Sequence, residues 1–143
     1  MIKKFKKAFT ITELVIVIAV IAILAAVLIP TFSTVISKAN ESAAMQECRN
    51  EWSNMSVEVL TEENAPDGYM FKINKGGDDY YFVVIGSEFD AEPVTPTVSE
   101  GSTTVSYQST GETAATNYTA TEYTGTYQKA NADITIYTLT EQA

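Results

Sequence analysis

Hydrophobic positions along this chain fall into three successive patterns. From Leu14 to Ile29 the residues LVIVIAVIAILAAVLI form an unbroken apolar run, and Glu13 is the only ionisable side chain between Ala8 and Ser37. As a helix, Phe9 to Phe32 reaches ~36 Å, enough for a ~30 Å hydrocarbon layer. A helix buried in a globular core shows an apolar stripe, whereas this segment is apolar all round. It is predicted to insert into a membrane. Past Lys38 the rhythm changes: Phe32, Ile36, Ala39 and Ala43 step by helical spacings, and Met45, Cys48, Trp52, Met55 and Val59 continue them after a phase slip. The opposite face carries Glu41, Glu47, Arg49, Glu51 and Glu58. One helix is therefore expected from about Phe9 to about Glu62, interrupted only at Pro30, with Asn64, Pro66 and Gly68 as stop signals.

The third pattern is strand-like. Tyr69–Ile73 and Tyr80–Ile85 flank the turn residues Asn74 to Asp79 and predict a hairpin. Pro93 and Pro96 make residues 87–97 an expected loop. Weaker strand candidates follow at residues 103–108, 118–128 and 133–140. The last alternates Ile134 and Ile136 against Thr135 and Tyr137. Residues 95–128 are rich in Thr, Ser and Tyr and poor in aliphatics, so a surface loop there competes with regular strands.

Charge sharpens this picture. The 143 residues carry 9 Lys+Arg against 18 Asp+Glu, formally −9. The segregation is strong: Lys3, Lys4, Lys6 and Lys7 precede the apolar run, and an acidic remainder follows it. That bias keeps the amino end cytoplasmic and places the bulk outside. The acidic balance argues against nucleic acid as a partner, because phosphate binding needs a basic face. With no histidine and one cysteine, His-based triads, His-ligated zinc and internal disulfides are all excluded. Neither a phosphate-cradling Gly loop nor a GxSxG nucleophile is present. No catalytic residue, cofactor or metal site is expected, and the chain is read as a non-enzyme. The carboxylates of Asp78–Asp79 and of Glu88, Asp90 and Glu92 lack evenly spaced calcium ligands and are read as solvated turns.

The stretch Lys6-Lys7-Ala8-Phe9-Thr10-Ile11-Thr12-Glu13-Leu14, followed by the apolar run and Pro30, resembles the N-terminus of type IV prepilins and the related pseudopilins of type II secretion. The likeness covers about residues 3–36. Where the family usually has Gly before the cleaved bond, this chain has Ala8. The resemblance implies an α+β, pilin-like fold: one long N-terminal helix, membrane-inserting in its first half and amphipathic in its second, packed on a small antiparallel β-sheet. It implies a leader at residues 1–8, a transmembrane and filament-core helix at 9–32, an amphipathic helix at 33–62 and a small acidic β domain at 63–143. By the same resemblance, a prepilin peptidase/methylase is expected to cut between Ala8 and Phe9 and to methylate the new amine of Phe9. The resemblance also implies that Glu13 pairs with the Phe9 amine of a neighbouring subunit and sets the register of assembly. Pro30 either kinks the helix or gives it a flexible break. The implied partners are the peptidase, the membrane assembly machinery and other copies of the chain or related pilins. The implied location is the membrane before assembly and an extracellular or envelope filament after it.

Two other readings compete: a binding module secreted behind an ordinary signal peptide cut after Ala39, and a permanently anchored single-pass protein. The apolar run is longer than the ~7–15 residues of a signal-peptide core, which disfavours the first.

Overall fold

The computed structural model describes residues 9–59, 65–99, 102–108 and 114–143. The chain divides into two compact units, Met1–Lys38 and Ala39–Ala143. Helix α1, Ile11–Val59, contributes to both. It starts two residues later than the sequence pattern suggests, and the expected end near Glu62 lies outside the described residues.

In the first unit α1 presents large apolar side chains on every side. Leu14, Ile18, Ile23, Leu28 and Phe32 are all more than half exposed. The sequence pattern led to an expected interruption at Pro30, and this is corrected: α1 passes through Pro30 unbroken. Proline brings no N–H to the ladder. Two hydroxyls supply donors in the same stretch, Thr31 Oγ1 to the Val27 carbonyl at 3.0 Å and Thr34 Oγ1 to the Pro30 carbonyl at 3.1 Å. Each threonine thereby satisfies its own polar group within an apolar segment.

The second unit is an antiparallel sheet with the carboxyl-terminal part of α1 on one face. Its strands are β1 (Gly68–Lys75), β2 (Asp78–Ile85), β3 (Glu88–Phe89), β4 (Thr97–Ser99), β5 (Ser102–Tyr107), β6 (Thr116–Glu122) and β7 (Ile134–Glu141). They lie in the order β3-β2-β1-β7-β6-β5-β4. The expected β1–β2 hairpin is present, and its two-residue turn is Gly76-Gly77 with φ of 65° and 93°. Positive φ at both central positions is what a type I′ turn demands, and glycine alone adopts it without strain. The region read as loop around Pro93 contains the short β3, and the candidate at 118–128 ends as a strand at Glu122.

Alternation along the strands divides the residues between two cores. Tyr69, Phe71 and Ile73 of β1, Phe82 and Val84 of β2, and Ile134 and Ile136 of β7 pack with Ala44, Cys48, Met55 and Val59 of α1. Phe71 is paired in register with Phe82 on one side and Ile136 on the other, and Trp52 meets its ring edge-on at 6.4 Å. On the other face Met70, Val83, Val105, Tyr107, Tyr118, Ala120 and Leu139 form a second core. The Tyr107 hydroxyl hydrogen-bonds Asp90, just past β3 at the opposite edge, so the sheet curls around this core. Burial and then the Asp90 charge push Tyr107 up to about 12. The strands β5 and β6 need few aliphatics because only one face of each is covered.

The polar face read from the sequence also needs correction. Glu51 is 2% exposed, in line with Ala44, Cys48, Met55 and Val59, whereas Ala43 is exposed. Its carboxylate accepts the Ala130 N–H at 2.9 Å and the Tyr127 hydroxyl. Glu47 accepts from Asn131 Nδ2 at 2.9 Å, and Glu58 from Thr126 Oγ1 at 2.7 Å. Three glutamates at helical spacing therefore hold the β6–β7 connection against α1. Cys48 sits in the same core, where burial raises its thiol far above the reactive range.

Candidate processing and assembly segment

Helix α1 is opened by a reciprocal set of hydrogen bonds. Thr10 precedes the first helical residue, and its hydroxyl accepts the Glu13 N–H at 3.3 Å. Glu13 Oε2 in turn accepts the Thr10 N–H at 3.0 Å and the Thr10 hydroxyl at 2.7 Å. Thr10-Ile11-Thr12-Glu13 is thus a capping box, which satisfies amides that the helix itself leaves unpaired. The acid also stands in the first turn, at the positive end of the helix dipole. A carboxylate at membrane depth costs ~2.5–3.5 kcal/mol on insertion scales, and less near the interface. Local donors reduce the part of that cost that comes from lost hydrogen bonds.

Phe9 stands immediately before Thr10 and is 83% exposed. Ala8, the other side of the expected cleavage, lies outside the described residues. Beyond the capping box α1 is long and apolar enough to cross a membrane. Residues 3–29 match a family described as the prokaryotic N-terminal methylation motif. The match supports a type IV pilin-like precursor. No curated protein and no solved structure matches the chain. The methylation motif ends just short of Pro30 and contains Ala8, Phe9 and Glu13, three of the four positions that the sequence singled out. The long helix and antiparallel sheet of the second unit agree with the α+β pilin fold.

Two of the acidic positions read as turns, Asp79 and Asp90, have partners of their own. Asp79 accepts from Asn74 Nδ2 at 2.8 Å and pairs with Lys72 at 2.9 Å, contacts that hold its carboxyl below the usual range. Asp90 accepts the Glu92 N–H at 2.9 Å in addition to its bond with Tyr107. Among the described residues no three His, Cys, Asp or Glu side chains are grouped to hold a metal ion.

Two features lie beyond the sequence pattern described above, one at this site and one in the second unit. The capping role of Thr10 was legible, since Thr-x-x-Glu before an apolar run is its signature. Glu51 was legible in part, because its spacing from Cys48 and Met55 puts it on the apolar stripe despite its charge.

Proposed function

We propose that this chain is a structural subunit of a type IV pilus-like filament, held in the membrane before assembly and polymerised through the first half of α1. The observation that carries the reading is the coincidence of the methylation motif with a helix whose large apolar side chains are exposed on all sides. Lipid covers such a surface before assembly, and close packing against identical helices covers it afterwards.

Cleavage between Ala8 and Phe9 removes four of the nine basic side chains, leaving five against 18 acids and a net −13. Loss of the lysines removes the charges that hold the segment at the cytoplasmic surface. The same cut creates a cationic amine at Phe9, which the peptidase/methylase methylates. Glu13 is the counter-charge: it exchanges its bonds to Thr10 for the Phe9 amine of a neighbouring subunit and so fixes axial register. Pro30 serves as the point at which a packed helix yields, because one ladder hydrogen bond is already missing there. The filament is an extracellular or cell-envelope structure, and the subunit's role in it is structural rather than enzymatic.

The intact mass of the chain from its native cells tests the proposal. A chain beginning at methylated Phe9 is expected. A chain beginning at Asn40 establishes instead a secreted module behind a signal peptide, and one retaining the lysines establishes a permanent anchor. In a second arm, Glu13→Ala enters the membrane normally but is excluded from filaments. Normal incorporation of that variant overturns the register role.

A further inference from the structure

The Glu47 carboxylate lies between two nitrogens rather than beside one. Its Oε2 takes the Lys75 ammonium at 2.6 Å, and its Oε1 accepts from Asn131 Nδ2 at 2.9 Å. The sheet brings these two partners together from distant parts of the chain. Lys75 ends β1, Asn131 precedes β7, and the two strands pair in register as far as Ile73 and Ile134. The Asn74 N–H then donates to the Asp133 carbonyl at 3.1 Å and carries the ladder one bond further.

The Asn131 amide is held at both of its ends. Nδ2 donates to Glu47, and Oδ1 accepts the Asp133 N–H at 3.2 Å. Its neighbour Ala130 is tied to Glu51, one helical turn beyond Glu47. Lys75 is placed as closely. A side chain at Gly76, the next residue, would collide with Asn40, which stands two turns before Glu47 on the same face of α1. The side chains of Lys75 and Glu47 are 29% and 22% exposed, so most of the pair is out of water. A salt bridge alone needs no amide on its far side, and a turn alone needs no lysine. Together these groups are the parts of an acyl transfer. Lys75 is the amine nucleophile, Glu47 touches both nucleophile and leaving group, and the Asp133 N–H faces the oxygen where charge would develop.

We infer that Lys75 and Asn131 become joined by an isopeptide bond, formed by the folded chain itself with Glu47 as proton carrier. Glu47 takes a proton from the Lys75 ammonium, and the freed Nζ lone pair attacks Asn131 Cγ. Oδ1 becomes negative in the tetrahedral intermediate, opposite the Asp133 N–H. Collapse breaks the Cγ–Nδ2 bond. Two protons from Nζ pass to the leaving nitrogen through Glu47, so it departs as ammonium and Glu47 ends ionised as it began. Nζ keeps one hydrogen as a secondary amide. Nothing is oxidised or reduced, and no co-reactant is consumed. The Glu47 carboxyl is held below the usual range, so the proton-transferred pair is the minor form and the reaction is slow. It runs once per chain. Until then Glu47 holds Lys75 as an ion pair, and its acid titration is that of the unlinked chain. The bond closes a loop from β2 through β6, and a cross-link restricts the unfolded chain more as its loop lengthens. All the residues involved lie in the second unit, so the inference does not depend on the filament reading.

Mass spectrometry of the full chain, purified in detergent micelles and incubated for a day, tests the inference. The intact mass is expected to fall about 17 Da below that calculated for its own termini, the ammonia lost. Fragmentation after proteolysis should show the peptide containing Lys75 linked to the one containing Asn131. Lys75→Arg keeps the charge and Glu47→Gln keeps the shape, and each should restore the full mass. The wild-type measurement needs no variant, so it stands even where a variant misfolds. An unshifted wild-type mass, or a loss undiminished in Glu47→Gln, overturns the inference. So does a loss that persists in Lys75→Arg, which would be ring closure of Asn131 onto its own backbone.

Discussion

Glu13 and Glu51 belong to the same helix and answer opposite environments. Glu13 stands in the first turn among exposed apolar side chains, and its carboxylate is bonded by the N–H and hydroxyl of Thr10, three residues away. Glu51 is buried in a packed core and bonded to residues 76 and 79 positions away, Tyr127 and Ala130. The first carboxylate is satisfied by local sequence alone, so its cap forms as soon as the first helical turn does. The second is satisfied only when the sheet, the β6–β7 connection and α1 come together. The contrast separates what each half of α1 is specified by. The amino half has helical backbone bonds and a cap, and lipid or other copies must supply its packing. The carboxyl half is specified by packing within its own unit.

Breaking the packed half has the largest expected effect. Phe71→Ala removes a fully buried ring between Phe82 and Ile136, and should destabilise the second unit by about 3–5 kcal/mol in denaturant titrations followed by Trp52. Leu24→Ala, at an exposed position of the apolar half, should leave that stability within about 0.5 kcal/mol. Equal losses from the two variants would erase the distinction.

Glu51→Ala comes next. It leaves the Ala130 N–H and the Tyr127 hydroxyl without their acceptor, a loss of about 1–3 kcal/mol. Amide exchange should accelerate most between residues 123 and 133. Glu51→Gln keeps an acceptor oxygen and should lose less. Tyr127 bears on the same cluster at high pH. Burial first, then the charge and hydrogen bond of Glu51, push its hydroxyl up to about 12. Its neutral form is therefore favoured by folding, and that contribution is intact below the unfolded value near 10 and is lost as pH rises from about 10 to 12.

Thr10→Val should cost about 1 kcal/mol of helix stability at the amino end alone, seen as faster exchange of the amides of residues 11–13 in micelles. Thr10→Ser should restore protection. The smallest expected effect is at Glu47. Burial raises its carboxyl, but bonds from Lys75 and Asn131 outweigh this and hold it below the usual range. The stability it contributes is present above about pH 4.3 and is lost as pH falls through its lowered value. For a partly exposed pair the magnitude is about a few tenths of a kcal/mol. Glu47→Gln should flatten the acid limb of the stability profile by that amount.

Much of the architecture was legible in the sequence for identifiable reasons. The apolar run and the hairpin turn are local signals: periodicity fixes the first, and Gly76-Gly77 fixes the second. The strands β5 and β7 lie within a residue or two of the expected positions, because Val105 and Tyr107, and Ile134 and Ile136, alternate with hydroxyl residues. What escaped was non-local. Glu51 looks like a solvent-facing acid until Ala130 arrives from the far end of the chain. Tyr123 to Gln128 reads as strand by composition, but the glutamates of α1 hold that stretch as a loop. Pro30 reads as a break, and the helix nonetheless continues through it.

In the filament proposed above, the apolar half of α1 is covered by other copies of itself once the subunit leaves the membrane. A helical reconstruction of filaments sheared from the native host tests it most directly. Density for this chain is expected as the repeating unit, with residues 9–36 packed along the axis and Glu13 beside the amine of a neighbouring Phe9. Filaments that lack the chain, or that carry residues 9–36 on their outer surface, would contradict it.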